Sequence, residues 1–183
     1  LVLGARASMM QRNDSALHWY GRALQLAEAA RGSCLLADLH YNMGVAYDQL
    51  DSIALAETHL AAGLSAIPRV GYALLEGTTR ETLGHLKIRQ GRPHEAASLL
   101  DSAEAIARTL SHGELLTAVL EDRVELYETT GAHDRAIASL KVLITVKDSL
   151  AQAVRKEEIA ATQTRFDMGR LEKELDLMKV EAE

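Results

Sequence analysis

The stretch Met43-Gly44-Val45-Ala46-Tyr47, followed by Ala56, Leu60, Gly63 and Pro68, recurs along the chain at a fixed interval of 40 residues. One interval earlier it reads Leu3-Gly4, Ala7, Ala16, Tyr20 and Ala23. One interval later it reads Leu83-Gly84, Lys87, Ala96, Leu100 and Ala103, and then Arg123-Val124, Tyr127, Ala136, Leu140 and Leu143. A constant period over four copies marks a repeat array, in which each unit hides its apolar face against the next. Gly4, Gly44 and Gly84 fall inside helical patterns, where glycine costs about 1 kcal/mol relative to alanine. Close approach of a neighbouring helix is the return on that cost. Ala16, Ala56, Ala96 and Ala136 are the matching small residues on the second helices, with Tyr20, Leu60, Leu100 and Leu140 filling the space beside them.

Punctuation along the chain fits helices joined by short turns. Residues 1–12 read as the first helix of a repeat, cut at its start, with Asn13 or Asp14 capping the next helix, which runs to about Arg31. Helices then cover about 34–50 and about 53–66, separated by Asp51-Ser52 and stopped before Pro68. A helix over about 70–90 ends at Gly91, and Pro93 suits the first turn of the helix that follows. Ser111 with Glu114 has the spacing of a capping box, opening a helix that Gly131 closes. The second helix of the last copy begins near His133.

Composition excludes several classes. Apolar residues make up 48% of the 183 and aromatics only 4%, so alanine and leucine carry the packing. β-Branched runs are short, which argues against strands. The formal charge of −6, with both signs mixed, lacks the clustered basic face of a nucleic-acid binder. A single cysteine, Cys34, excludes an internal disulfide framework. No stretch reaches the roughly 20 apolar residues of a membrane span. The chain opens at Leu1 inside a helical pattern and reads as a segment of a longer protein.

The repeat residues resemble the tetratricopeptide repeat. That family places a small residue in the middle of the first helix and an aromatic three positions on. In the second helix come alanine, a large apolar residue and a further small one. Here these are Gly44, Tyr47, Ala56, Leu60 and Gly63, with Pro68 closing the repeat. The family period is about 34 residues, so the 40 of this chain lengthens each hairpin. His40 and Arg80 stand where the family has tryptophan, and Val124 replaces the glycine of the fourth copy. The resemblance implies an all-α, tetratricopeptide-like α-solenoid over 1–148. It has four hairpins, the first truncated, followed by a long C-terminal helix over 149–183.

From Lys147 onward no new hairpin begins. A seam continues from Leu140 and Leu143 in steps of four and three through Lys147, Leu150, Val154, Glu157, Ala161, Thr164, Met168, Leu171, Leu175, Met178 and Ala182, with Glu157 and Thr164 poor core residues. This is the coiled-coil alternation. Met168, Leu171, Leu175 and Met178 form its clean part and are the candidate oligomerisation residues; Ile159 and Phe166 make a second stripe off the seam. Two readings stand: a helix that caps the open end of the array, or one that dimerises. The segment Leu143-Ile144-Thr145-Val146-Lys147-Asp148-Ser149-Leu150, with Phe166 and the charged run from Arg170 to Lys179, is similar to the junction that ends the repeat region in certain bacterial signalling proteins. There the helix leads to a membrane span and then to a histidine kinase, a DNA-binding regulator or a cyclase-type output. The resemblance implies a sensory region of a membrane-anchored parent, on the periplasmic side of the inner membrane or, alternatively, in the cytoplasm.

Residues of catalytic type do not converge in the sequence. Seven histidines are scattered and none pairs with another at i+4, so the helical metal-ligand spacing is missing. His94-Glu95 opens like a zinc-protease motif, but Ser98 stands where its second histidine belongs. No phosphate loop or nucleophile elbow occurs. The expectation is therefore a non-enzymatic protein with no cofactor and no bound metal. In the resembled family the first helix of each hairpin lines a groove. Projected here, that groove carries Asp38, Tyr41, Val45, Asp48 and Gln49, then Glu81, His85 and Arg89, then Glu121, Glu125 and Glu128. It is mainly acidic and implies a basic or mixed protein or peptide partner, or the array's own flanking helix. A homodimer through the C-terminal helix is the second partner expectation. The alternative function is a free-standing adaptor whose long helix is only a cap.

Overall fold

A computed structural model describes residues 2–30, 33–68 and 71–181, with side chains over 13–29, 35–68 and 71–170. Among these residues the chain is all-helical, with no strand. Seven helices follow in order: α1 (Val2–Ala30), α2 (Ser33–Gln49), α3 (Ile53–Ala66), α4 (Ala73–Arg89), α5 (Pro93–Thr109), α6 (Gly113–Thr129) and α7 (His133–Glu181). Each helix from α1 to α5 lies against the next, and α4 also meets α2 and α6. Contacts divide the chain into two compact units, Leu1–Leu143 and Ile144–Glu183. The first holds the repeats; the second is the remainder of α7.

The 40-residue interval resolves into two steps of 20. Asp51, Gly71, Gly91, Ser111 and Gly131 all adopt positive φ, between 51° and 91°, and stand 20 residues apart. Helices α4, α5 and α6 each have 17 residues, joined by turns at 90–92 and 110–112. One hydrogen-bonded turn is reused at the joints of Asp51, Gly91, Ser111 and Gly131. Ser52 N donates to Tyr47 O at 2.8 Å, Arg92 N to Lys87 O at 2.9 Å, His112 N to Ala107 O at 2.9 Å and Ala132 N to Tyr127 O at 2.8 Å. These are the six-to-one bonds of a Schellman ending, which needs one left-handed residue. Glycine meets that need at Gly91 and Gly131 without a Cβ penalty.

The same logic corrects two expectations. α1 runs unbroken through Asn13-Asp14, where the sequence pattern predicts a turn. In that copy the position matching Asp51, Gly91 and Gly131 is Gln11, a good helix former with no tendency to the left-handed region. Asn13 caps nothing; its Nδ2 donates to Gln49 Oε1 of α2 at 3.0 Å. The hairpins observed are therefore α2/α3 and α4/α5, preceded by one continuous helix and followed by α6 and α7. The second correction concerns the capping box at Ser111. That residue supplies the left-handed joint after α5, and His112 caps α6 instead, its Nδ1 accepting from Leu115 N at 3.1 Å.

Within hairpins the repeat glycines are notches for leucine. A Cβ on Gly44 would lie 2.5 Å from Leu60 Cγ and 3.3 Å from the Ala56 carbonyl oxygen. A Cβ on Gly84 would lie 2.9 Å from Leu100 Cδ2. Leu60, Leu100, Ala56 and Ala96 are fully buried. Leu140, the fourth-copy equivalent, is 44% exposed, and Val124 fills the place of the notch that would have received it. Lys87 stands at the register position of Tyr47 and Tyr127, yet it is buried. Its ammonium pairs with Glu57 of α3, to which Gln90 Nε2 also donates at 2.8 Å. Those two bonds, that of Lys87 first, hold the Glu57 carboxyl below its ordinary range.

In α7, Ala136 and Leu143 are buried in the first unit, and the Arg135 guanidinium lies 5.9 Å from the Tyr127 ring centre. In the second unit Val154, Ile159, Phe166 and Met168 are exposed. Leu171, Leu175 and Met178 lie outside the residues whose side chains are described.

Gly44→Ala should lose about 1 kcal/mol of stability, because overpacking against Leu60 outweighs the gain in helix propensity. Gly21, with no atom within 4 Å of its added Cβ, is the control. Gly21→Ala should gain about 0.5–1 kcal/mol. Urea midpoints of the two variants check this; a gain of equal size at both positions would remove the notch.

Candidate partner-binding site

Contacts of α4 with α2 and α6 set three first helices side by side. Residues about one period apart meet across these pairs. Tyr41 of α2 lies near Thr78, Thr82 and Glu81 of α4, and burial raises its phenol above the ordinary value. Asp48 of α2 and Asp51 both pair with the Arg89 guanidinium. His85 Nδ1 lies 3.0 Å from Asp122 Oδ1 and 4.0 Å from Glu125 Oε2, both on α6. The elements are held in place from behind by the fully buried Leu86 and Val119.

Electrostatics along this belt are unbalanced toward negative charge. The projected base, Arg89, is already taken by two aspartates. Glu81 is pushed up to about 7, first by burial and then by the charge of Asp122, while Thr82 Oγ1 donates to it at 3.1 Å. The hydrogen bond from Asp122 raises His85 above its ordinary value, with burial opposing and the charges of Asp122, Glu125 and Asp48 adding to the rise. Arg123, beside Asp122 in sequence, turns away to Asp101 and to Glu104 at 2.8 Å on α5.

The structure thus joins Tyr41 with Glu81, Asp48 with Arg89, and His85 with Glu125. Val45 is partly buried and Gln49 receives Asn13. Asp38, Glu121 and Glu128 are exposed. Asp122 is the residue that the helical-face projection misses, because it lies one position off the Glu121, Glu125, Glu128 stripe. The signal is its spacing, 37 residues from His85, which is one period less one helical turn. Tyr41 meets Thr78 at that same interval.

A second polar cluster lies between α2 and α3. His40 Nδ1 and His59 Nδ1 are 3.0 Å apart, and Tyr47 stacks on His59 with ring centres 5.2 Å apart. One ring must donate and the other accept, so at least one is neutral in this contact. Burial lowers both from 6.5; the charge of Glu28 partly opposes this at His40, and His40 adds to it at His59.

Neither protein-family models nor curated proteins give a match to this sequence. No helix among the described residues is long and apolar enough to cross a membrane.

The histidine pair sets a pH response. With folded values below 6.5, the unfolded chain takes up these protons first as pH falls. Their contribution is complete above the unfolded value and is lost as pH falls through the folded ones. His59→Phe keeps a ring on Tyr47 and removes one titration. Its melting temperature should therefore drop less than wild type between about pH 7.5 and about pH 5.5. Parallel pH profiles for the two proteins would show that the pair has no part in the acid response.

Proposed function

We propose that this chain is a non-enzymatic interaction region, a tetratricopeptide-like helical array whose α2–α4–α6 face takes a basic or mixed peptide segment of a protein partner. The observation that carries this reading is the acidic belt itself. Glu81, Asp122 and Glu125 gather on facing helices, while the nearby guanidinium of Arg89 is already neutralised. Asp38 and Glu128 add exposed charge on α2 and α6. A cationic segment laid over that face gains Coulomb attraction from its exposed carboxylates, with the Arg89 guanidinium already paired. The resemblance of the junction around Lys147-Asp148-Ser149-Leu150 supports placing the array in a bacterial signalling protein, with occupancy relayed through α7 to an output domain. The adaptor reading keeps the same groove and makes α7 a cap.

Titration of a lysine- and arginine-containing peptide, followed by fluorescence anisotropy, tests the groove. Binding should be measurable at low ionic strength and weaken as salt screens the exposed charges. Asp38→Lys with Glu128→Lys should weaken it roughly tenfold at low salt. Absence of binding at low salt, or binding indifferent to both salt and charge reversal, would rule the groove out.

For α7 the proposed partner is a second copy of the same helix. The exposed Ile159 and Phe166, seven residues apart and so on one face of the second unit, motivate it, since large apolar side chains gathered on a surface mark association sites. Solution mass across a dilution series should show a dimer that dissociates on dilution, and Phe166→Glu should shift the chain toward monomer. A mass of one chain throughout, at the highest concentration reached, would exclude the dimer.

A further inference from the structure

Three side chains of metal-ligating type converge between α4 and α6. Asp122 and Glu125 lie three residues apart, hence on one face of α6, and His85 faces them from α4. One ligand atom from each lies within 4.8 Å of the other two. Bonds of about 2.0–2.2 Å to a shared ion would bring such atoms to about 3–3.6 Å apart. The needed closure is about an ångström, and the Glu125 side chain, 46% exposed, is free to make it.

Asp122 supplies the independent mark of a ligand. It is only 8% exposed, and its Oδ2 is buried with no hydrogen-bond donor. A buried carboxylate oxygen left unmet costs about 1–3 kcal/mol or more. Its acidic neighbour is the Glu81 carboxyl, which can hydrogen-bond to Asp122 only through a proton held on one of the two acids. Arg89 is engaged with Asp48 and Asp51, and Arg123 reaches Asp101 and Glu104 through its Nη2 while its buried Nε meets no acceptor.

We propose that His85, Asp122 and Glu125 bind a divalent transition-metal ion, with Zn2+ as the ion of choice and its remaining positions open to water or an incoming side chain. One imidazole and two carboxylates form a nitrogen–oxygen set suited to Zn2+ and its neighbours, whereas Mg2+ favours oxygen alone. Partial exposure of His85 and Glu125, 34% and 46% at the side chain, gives the ion a path in. The site stands whether or not this face takes a peptide, because all three ligands come from the fold.

Isothermal titration of ZnCl2 into tag-free, chelator-treated protein tests it, with MgCl2 as comparator and melting temperature as a second readout. One Zn2+ per chain should bind saturably and raise the melting temperature, with Mg2+ far weaker. His85→Gln and Asp122→Asn should each weaken Zn2+ at least about tenfold, with helical circular dichroism retained. If Asp122→Asn fails to fold, Glu125→Gln at the half-exposed position takes its place. No saturable Zn2+ binding, or binding that survives both substitutions unchanged, overturns the site. The second result would assign the ion to the scattered surface histidines.

Discussion

The seating of Leu60 against Gly44, and of Leu100 against Gly84, fixes the spacing on which the rest of the first unit depends. Each leucine is fully buried and contributes about 1.5–3 kcal/mol through its removal from water. That gain is available only because the facing helix carries no Cβ at the contact. A close hairpin leaves the next first helix at a repeated distance from the last. Residues one period apart on α2, α4 and α6 therefore face one another, as Tyr41 with Glu81 and His85 with Glu125 do. The polar belt is a consequence of apolar packing behind it.

Much of this was legible in the residues, for a physical reason. A glycine in a helix interior and a residue forced to positive φ are both costly, so their recurrence at fixed intervals has few explanations. Gly44, Gly84, Gly91 and Gly131 declare helix contacts and joints directly. Where the cost is borne by an ordinary residue, the sequence is silent. Asp51 and Ser111 adopt left-handed backbone, and Ser111 reads equally well as a helix cap. Asn13-Asp14 looks like a cap, but without a left-handed residue before it the helix continues. Propensity at a cap is a weaker constraint than the six-to-one turn that the other joints require.

The belt was half legible. A face projected from one helix selects Glu121, Glu125 and Glu128 but not Asp122, because helical periodicity says nothing about which edge of the face a neighbouring helix covers. α4 covers the edge that carries Asp122 and leaves Glu128 exposed. The search for histidines one turn apart fails for the same reason. It looks for ligands within one helix, whereas His85 meets its acids across two. The interval of 37 residues between His85 and Asp122 is visible only after the period of 40 and the helical step of three are combined.

Lys87 and Asp122 make an instructive comparison. Both are charged residues buried in the repeat region, 5% and 8% exposed. Removing an ion from water costs several kcal/mol, and a matched partner must offset it. For Lys87 the offset is in the chain: Glu57 meets the ammonium and Gln90 anchors the Glu57 carboxylate. Asp122 has His85 on one oxygen and no donor on the other. A leucine in its place would extend the apolar surface of Val119 and Leu126 at no such cost. The compensation for Asp122 must come either from a proton retained on the neighbouring Glu81 or from a cation taken out of solution. A proton on Glu81 relieves one oxygen but leaves the half-exposed Glu125 and the open side of His85 unused. A divalent ion would engage all three at once, since one ligand atom of each lies within 4.8 Å of the other two.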